Sequence, residues 1–332
     1  MRAAVAERPG EPVAIRDVPI PTPGPGEVVL NVKACGVCYT DLRIIDALGA
    51  ASMPLVPGHE PVGIVSAIGP GVVDVNAGDR VGAHALFTCG DCTYCRAGEE
   101  EACVTGIASL AGLGKDGGYA EYMALPASHA VPIPSGLDFA EAAPFLCAGL
   151  TTYAGLKNGG IEPGKRVVIL GIGGLGHLAI SIAGALGAEV YAVTGTESKV
   201  QMSRELGAAV AGDTATVVAA LQAAGGAHLV LNTANSLTPV GHLLPAMAKQ
   251  GSIVLTAADG DTFPIPPGAF VGLQLRVIGS FYGSRQDLRE VLDLAATHSI
   301  RPIIERYPLA AVADVHARLR QNLVRYRAVL EP

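Results

Sequence analysis

The chain has 332 residues, half of them hydrophobic, 16% charged and 5% aromatic, with no tryptophan. At about 150 residues per domain this suggests two domains, each long enough to bury a core. The formal charge of −7, from 23 basic and 30 acidic side chains, argues against a nucleic-acid or anionic-membrane binder, which needs a basic face, and points to a small-molecule partner. The 42 glycines and 23 prolines are nearly a fifth of the chain, a share that indicates a turn-rich globular fold and falls short of a disordered composition.

The N-terminus from Met1 to Pro9 is charged again before any secretory apolar stretch could form, so no signal peptide is expected. The first 150 residues read as β-rich, with strand candidates at 28–34, 64–68, 80–83 and 120–125. Tight turns such as Pro21-Thr22-Pro23-Gly24-Pro25-Gly26 and Gly69-Pro70-Gly71 separate them, the pattern of a compact barrel-like module. After residue 150 apolar strands at 166–170, 189–193, 229–231, 252–255 and 276–278 alternate with helical stretches such as 175–186, 199–206 and 216–224. That rhythm predicts a parallel sheet covered on both faces. Residues 167–188 carry no Asp, Glu, Lys or Arg and could span a bilayer by length alone. Their glycines and His177 favour a strand, a glycine turn and a buried helix instead. From about Gln286 a helix, a strand at 303–307 and a last helix are expected to complete the chain.

Seven cysteines, an odd number without a signal peptide, argue for reduced thiols and a cytoplasmic location. Cys89, Cys92, Cys95 and Cys103 place four soft ligands within fifteen positions. Four thiolates on a short loop can close a tetrahedral shell around zinc and leave no place for substrate, the mark of a structural site; an iron–sulfur cluster is the rival reading. Cys38, His59 and Cys147 each have an ordinary reading as core side chains. As a set they would instead offer three ligands and one open position, as zinc catalysis requires, but spacing alone does not bring them together.

The strand candidate at 166–170 ends in Gly171-Ile172-Gly173-Gly174-Leu175-Gly176, with a helical segment after it. In a dinucleotide-binding turn Gly171 allows the sharp bend, Gly173 lets backbone approach a pyrophosphate, and Gly176 lets helix pack on strand. The free N–H groups of the helix start, around Gly174 and Leu175, favour phosphate. The next strand, at 189–193, runs into Thr194-Gly195-Thr196-Glu197-Ser198-Lys199. An acidic residue at that strand end would bind the 2′-hydroxyl of NAD. Thr194 and Thr196 with Lys199 tolerate a 2′-phosphate, which favours NADP over NAD, although Glu197 could fold back as the missing carboxylate.

The run Cys35-Gly36-Val37-Cys38-Tyr39-Thr40-Asp41, the pattern Gly58-His59-Glu60-x-x-Gly63-x5-Gly69-x-x-Val72, the four-cysteine loop and the glycine turn occur in one order. Together they closely resemble the zinc-containing alcohol dehydrogenases of the medium-chain dehydrogenase/reductase family, over essentially the whole chain. The resemblance implies an α/β protein: a GroES-like β-barrel catalytic domain over 1–150, completed by about 286–332, and a Rossmann NAD(P)-binding domain over 151–285. It implies two zinc ions per chain, the catalytic one on Cys38, His59 and Cys147, with Cys35 a bystander. Glu60 would sit behind that metal as an exchange ligand, and Asp41 would accept a hydrogen bond from His59 and fix its tautomer. Thr40 resembles the family's hydroxyl that hands the substrate proton towards the cofactor ribose; its other reading is an N-cap for a helix starting at Asp41. Arg327 resembles an arginine that contacts cofactor phosphate, or else is a solvated surface residue. Lys199 also resembles a lysine of NAD-binding members. Where many members have a relay histidine this chain has Arg43, which stays protonated and cannot titrate as a relay.

The implied activity is hydride transfer between a nicotinamide and an alcohol/carbonyl pair, in a homodimer or homotetramer. Two alternatives stand: a family member diverted to a conjugated C=C or C=N bond, and a catalytically silent zinc and dinucleotide sensor.

Overall fold

The structure, a computed structural model, describes residues 1–46, 52–257, 262–263 and 265–332. Those residues group into two units: Met1–Cys147 with Ser284–Ala296 and Arg301–Pro332, and Ala148–Gly283 with Thr297–Ile300.

In the first unit, β-branched and alternating residues after Gly26 form a strand over Glu27–Val37, longer than 28–34. It pairs antiparallel with Glu60–Ile68, which pairs in turn with Arg80–Ala83, and that with Ala130–Pro132. On its other side lies Arg327–Glu331, paired antiparallel with it and parallel to Ile304–Pro308. Tyr122–Pro126 also pairs with Glu27–Val37, making a seven-stranded sheet among the described residues. Arg2–Val5 and Ala14–Asp17 form a separate hairpin. The expected order after Gln286, helix, strand and closing helix, is corrected here: Arg285–Thr297, Ile304–Pro308 and Val312–Arg320 are followed by the strand Arg327–Glu331. That strand is short, five residues, and its arginine start hides its pattern; pairing with a central strand decides it.

The second unit is a six-stranded parallel sheet in the order Val210–Gly212, Glu189–Val193, Arg166–Leu170, Ala227–Asn232, Met247–Leu255, Arg276–Gly279. The order reverses beside Arg166–Leu170, the switch point at which doubly wound sheets take ligands. Its strands read as continuous apolar runs because both faces are covered. On one side Val168, Leu170, Tyr191, Val230 and Ile253 pack with Val217 and Leu221 of the helix Thr214–Ala224. Each such aliphatic side chain contributes about 1.5–3 kcal/mol by burial. The uncharged stretch 167–188 is divided between Arg166–Leu170 and the helix Gly176–Ala185. Among the described residues no helix is long and apolar enough to cross a membrane.

Candidate metal and cofactor sites

Strand register builds the first site. Gly36 pairs with Glu60 and Val37 with Ala328. Cys38, just past one strand, therefore meets His59, just before the next, and Arg327 comes alongside from the far end of the chain. The second sulfur comes from Cys147, directly after the turn Ala143–Leu146. That turn is pinned by Leu146 packing where Gly82 has no side chain, since a Cβ there would lie 2.9 Å from Leu146 Cδ2.

One ligand atom from each of Cys38, His59, Glu60 and Cys147 lies within 4.8 Å of all the others. Cys38 and Cys147 are 4.0 Å apart at sulfur. Their mutual hydrogen bond holds Cys38 well below the ordinary thiol pKa and Cys147 well above it. Two sulfurs this close are a donor pair that a dication can bind once they give up their protons. His59 Nδ1 lies 2.7 Å from Asp41 Oδ1, leaving Nε2 for a metal. Burial lowers the basicity of His59, but the charge and hydrogen bond of Asp41 outweigh it and raise its pKa well above the usual value.

Asp41 is fully buried and its Oδ2 also accepts from the Cys38 backbone N–H at 2.9 Å and the Tyr119 hydroxyl at 2.8 Å. The helix therefore begins at Tyr39, with Cys38 as its cap. The N-cap reading of Thr40 is corrected: Thr40 lies in the first turn, its hydroxyl 3.6 Å from Cys38 Sγ.

Glu60 is fully buried, its Oε1 bonded to Arg327 Nη2 and 3.9 Å from His59 Nε2, its Oε2 without a hydrogen-bond partner. Gly36 makes room for that oxygen, since a Cβ there would lie 1.9 Å away. Burial raises Glu60 to about 7 although Arg327 pulls it down. An orphaned carboxylate oxygen beside two thiols and an imidazole fits a cation. Arg327 is only 4% exposed, which removes the reading of a solvated surface arginine. Cys35 is buried outside the ligand group.

The four cysteines of the loop also converge. Cys103 Sγ lies 3.6 Å and Cys95 Sγ 4.0 Å from Cys89 Sγ. Tetrahedral zinc with bonds of about 2.3 Å would set sulfurs about 3.8 Å apart. The backbone N–H groups of Cys89 and Cys95 already donate to Cys103 and Cys92 sulfurs, at 3.3 and 3.5 Å, as they would to thiolates. Behind the loop Glu100 accepts from Arg285 Nε at 2.8 and 2.9 Å and from the Arg285 backbone N–H at 2.9 Å. No motif signals Glu100, Arg285 or Tyr119, because each partner is far away in sequence.

In the second unit Gly171 has φ +89, and a Cβ there would lie 2.6 Å from that of Ala234. A Cβ on Gly176 would fall 2.0 Å from the Gly171 carbonyl oxygen, whereas at Gly173 it would meet nothing within 4 Å. Gly173 thus borders open space that a side chain would fill, a cradle fitting a pyrophosphate. Gly174 and Leu175 lead into the helix, whose cap, Leu175, offers no side-chain hydrogen bond. Thr194 follows the strand Glu189–Val193 and donates its backbone N–H to Gly212. Thr196 caps the helix Glu197–Glu205 without a side-chain bond, and Lys199 lies in its first turn.

Known proteins resemble this arrangement throughout. Residues 24–135 match the family described as "Alcohol dehydrogenase GroES-like domain" and residues 174–297 that described as "Zinc-binding dehydrogenase". An alcohol dehydrogenase of Geobacillus stearothermophilus is 40% identical over 337 residues, covering 100% of this chain and 99% of its own. The chain belongs to the zinc-containing alcohol dehydrogenase family. Among solved members, an NAD-dependent alcohol dehydrogenase superposes with TM-score 0.92 at 30% identity, covering 100% of both chains. A cobalt- and zinc-bound thermostable alcohol dehydrogenase of Pyrobaculum aerophilum does so with TM-score 0.89 at 30% identity, covering 100% of this chain and 99% of its own. The family accounts for both halves of the architecture, the GroES-like mixed sheet and the Rossmann-type parallel one.

Proposed function

We propose that this chain interconverts an alcohol and its carbonyl compound, with zinc on Cys38, His59 and Cys147 and with NADP preferred over NAD. The observation that carries the reading is the convergence of those three ligands beside a carboxylate, Asp41, that orients the imidazole. Zinc in such an open site supplies Lewis acidity to the substrate oxygen, and the nicotinamide carries the hydride.

The chain's own residues do the rest. Asp41 holds His59 in the tautomer that leaves Nε2 free to bind, and makes it a better donor. Thr40, beside Cys38, holds the substrate hydroxyl and passes on its proton. Beyond Thr40 this chain has Arg43 in place of a relay histidine, so that proton leaves through water. Glu60 stands by with one free oxygen as an exchange ligand, held back by Arg327. Donors of Arg327 not used on Glu60 would serve a cofactor phosphate. Cys89, Cys92, Cys95 and Cys103 hold a second, structural zinc.

The turn from Gly171 to Gly176 receives the pyrophosphate. Thr194, Thr196 and Lys199 favour a 2′-phosphate because the carboxylate that would repel it is missing from the strand end. One solved relative is named as NAD-dependent, so the preference must be measured. The active form is a homodimer or homotetramer.

A panel of alcohols, aldehydes and enones assayed with NADH and NADPH, alongside metal analysis, tests the reading. Aldehyde reduction with NADPH and about two zinc ions per chain are expected. Reduction of enones alone would replace it with the C=C reading, and no turnover of any carbonyl compound would leave only a binding protein.

A further inference from the structure

We infer that Tyr119 is a positioning residue of the catalytic metal site, its phenol holding the Asp41 carboxylate that orients His59. The inference rests on the reading of Cys38, His59 and Cys147 as the metal ligands.

The two oxygens of Asp41 have separate tasks. Oδ1 faces the imidazole, 2.7 Å from His59 Nδ1. Oδ2 takes two donors, the Tyr119 hydroxyl at 2.8 Å and the Cys38 N–H at 2.9 Å. Two donors on one oxygen fix the plane of the carboxylate and hold negative charge on the side away from His59. The backbone bond alone would leave the carboxylate to turn about it.

Tyr119 is itself held with unusual closeness. Its ring is fully buried. Gly58, the residue before His59, lies so near that a Cβ there would stand 2.4 Å from Tyr119 Cδ1, and its φ of +99 suits glycine. On the backbone, Tyr119 N–H donates to the Pro57 carbonyl at 3.0 Å and its own carbonyl accepts from Ala4 at 2.8 Å. The ring also packs at a tilt against His316, centroids 5.8 Å apart. The segment that carries the metal-binding histidine and the ring that braces its carboxylate are therefore packed as one piece. A phenylalanine would fill the same space, so what the hydroxyl adds is its bond to Asp41.

The test compares cobalt-substituted full-length protein carrying Tyr119→Phe with the wild type, by visible absorption and by chelator-driven metal release. Tyr307→Phe, which deletes a hydroxyl bonded to Glu305, is the control, and circular dichroism verifies folding. The cobalt at the four-cysteine loop is common to all and cancels in difference spectra. Tyr119→Phe is expected to shift the ligand-field bands and to speed loss of one metal equivalent about tenfold, the scale of outer-sphere changes at metal sites. Tyr307→Phe is expected to do neither. Spectra that superpose, with release within about twofold of wild type, would overturn the positioning role. His59→Ala separates the two levels: if it too leaves the cobalt spectrum unchanged, the metal-ligand reading itself falls.

Discussion

Arg285→Met probes how the four-cysteine loop is held. The arginine donates twice to Glu100 from Nε, at 2.8 and 2.9 Å, and from Nη1 to the Ser128 carbonyl at 2.8 Å. Burial alone would raise the pKa of Glu100, but the hydrogen bonds and charge of Arg285 bring it below the usual carboxylate value. Removing one partner of a buried ion pair costs about 3–5 kcal/mol. These side chains keep 21% and 10% exposure, so water recovers part of that and about 2–3 kcal/mol is expected. Metal binding and loop docking are one equilibrium, and 1.4 kcal/mol is a factor of ten. Arg285→Met should therefore weaken retention of a metal at this loop about 30- to 140-fold. Chelator titration with a zinc-sensitive dye reads this directly. Adding Glu100→Gln, which removes the stranded charge, should restore most of the loss. Release at the wild-type rate from Arg285→Met, or a double variant worse than both singles, would refute the reasoning.

Cofactor selection and acid stability give the other expectations. Thr194→Asp should lower the ratio of kcat/KM with NADPH to that with NADH at least about tenfold, since like charges brought together cost more than 1.4 kcal/mol; an unchanged ratio would show that this strand end does not meet the ribose. Gly176→Ala puts a Cβ 2.0 Å from the Gly171 carbonyl oxygen, overpacking worth about 1–3 kcal/mol, so cofactor KM should rise about 5- to 140-fold, by steady-state kinetics. Burial lowers His129 to about 3, with the charges of His84 and Arg285 adding to it, and burial lowers His316 to about 4. Both folded values lie below the unfolded value of about 6.5, so the unfolded chain takes up protons that the folded one refuses. Their contribution to stability is whole above about pH 6.5 and falls with pH, to about 4 for His316 and 3 for His129, by about 1.4 kcal/mol per unit each. In urea titrations from pH 7 to 5, His129→Gln, which keeps an acceptor for the Thr88 N–H, should lose less stability than the wild type; parallel curves would count against this.

Some of this molecule is local in sequence and was readable there. The four cysteines share one short loop, and the glycine turn sits between its own strand and helix, so the grouping of each could be read from spacing alone. The change from short strands with tight turns to alternating strands and helices marked two kinds of sheet, because each sheet imposes its own hydrophobic period.

The rest depends on contacts that no period records. Cys38 and Cys147 are 109 positions apart, Tyr119 and Asp41 78, Glu100 and Arg285 185, and Arg327 and Glu60 267. The pairing of Gly36 with Glu60 and of Val37 with Ala328 brings Cys38, His59 and Arg327 to one place. A shift of one residue in either ladder would turn those side chains to the opposite face. Family resemblance could propose the ligand set, but the brace behind it, Tyr119 on Asp41, follows from strand register and buried packing, which only the folded chain decides.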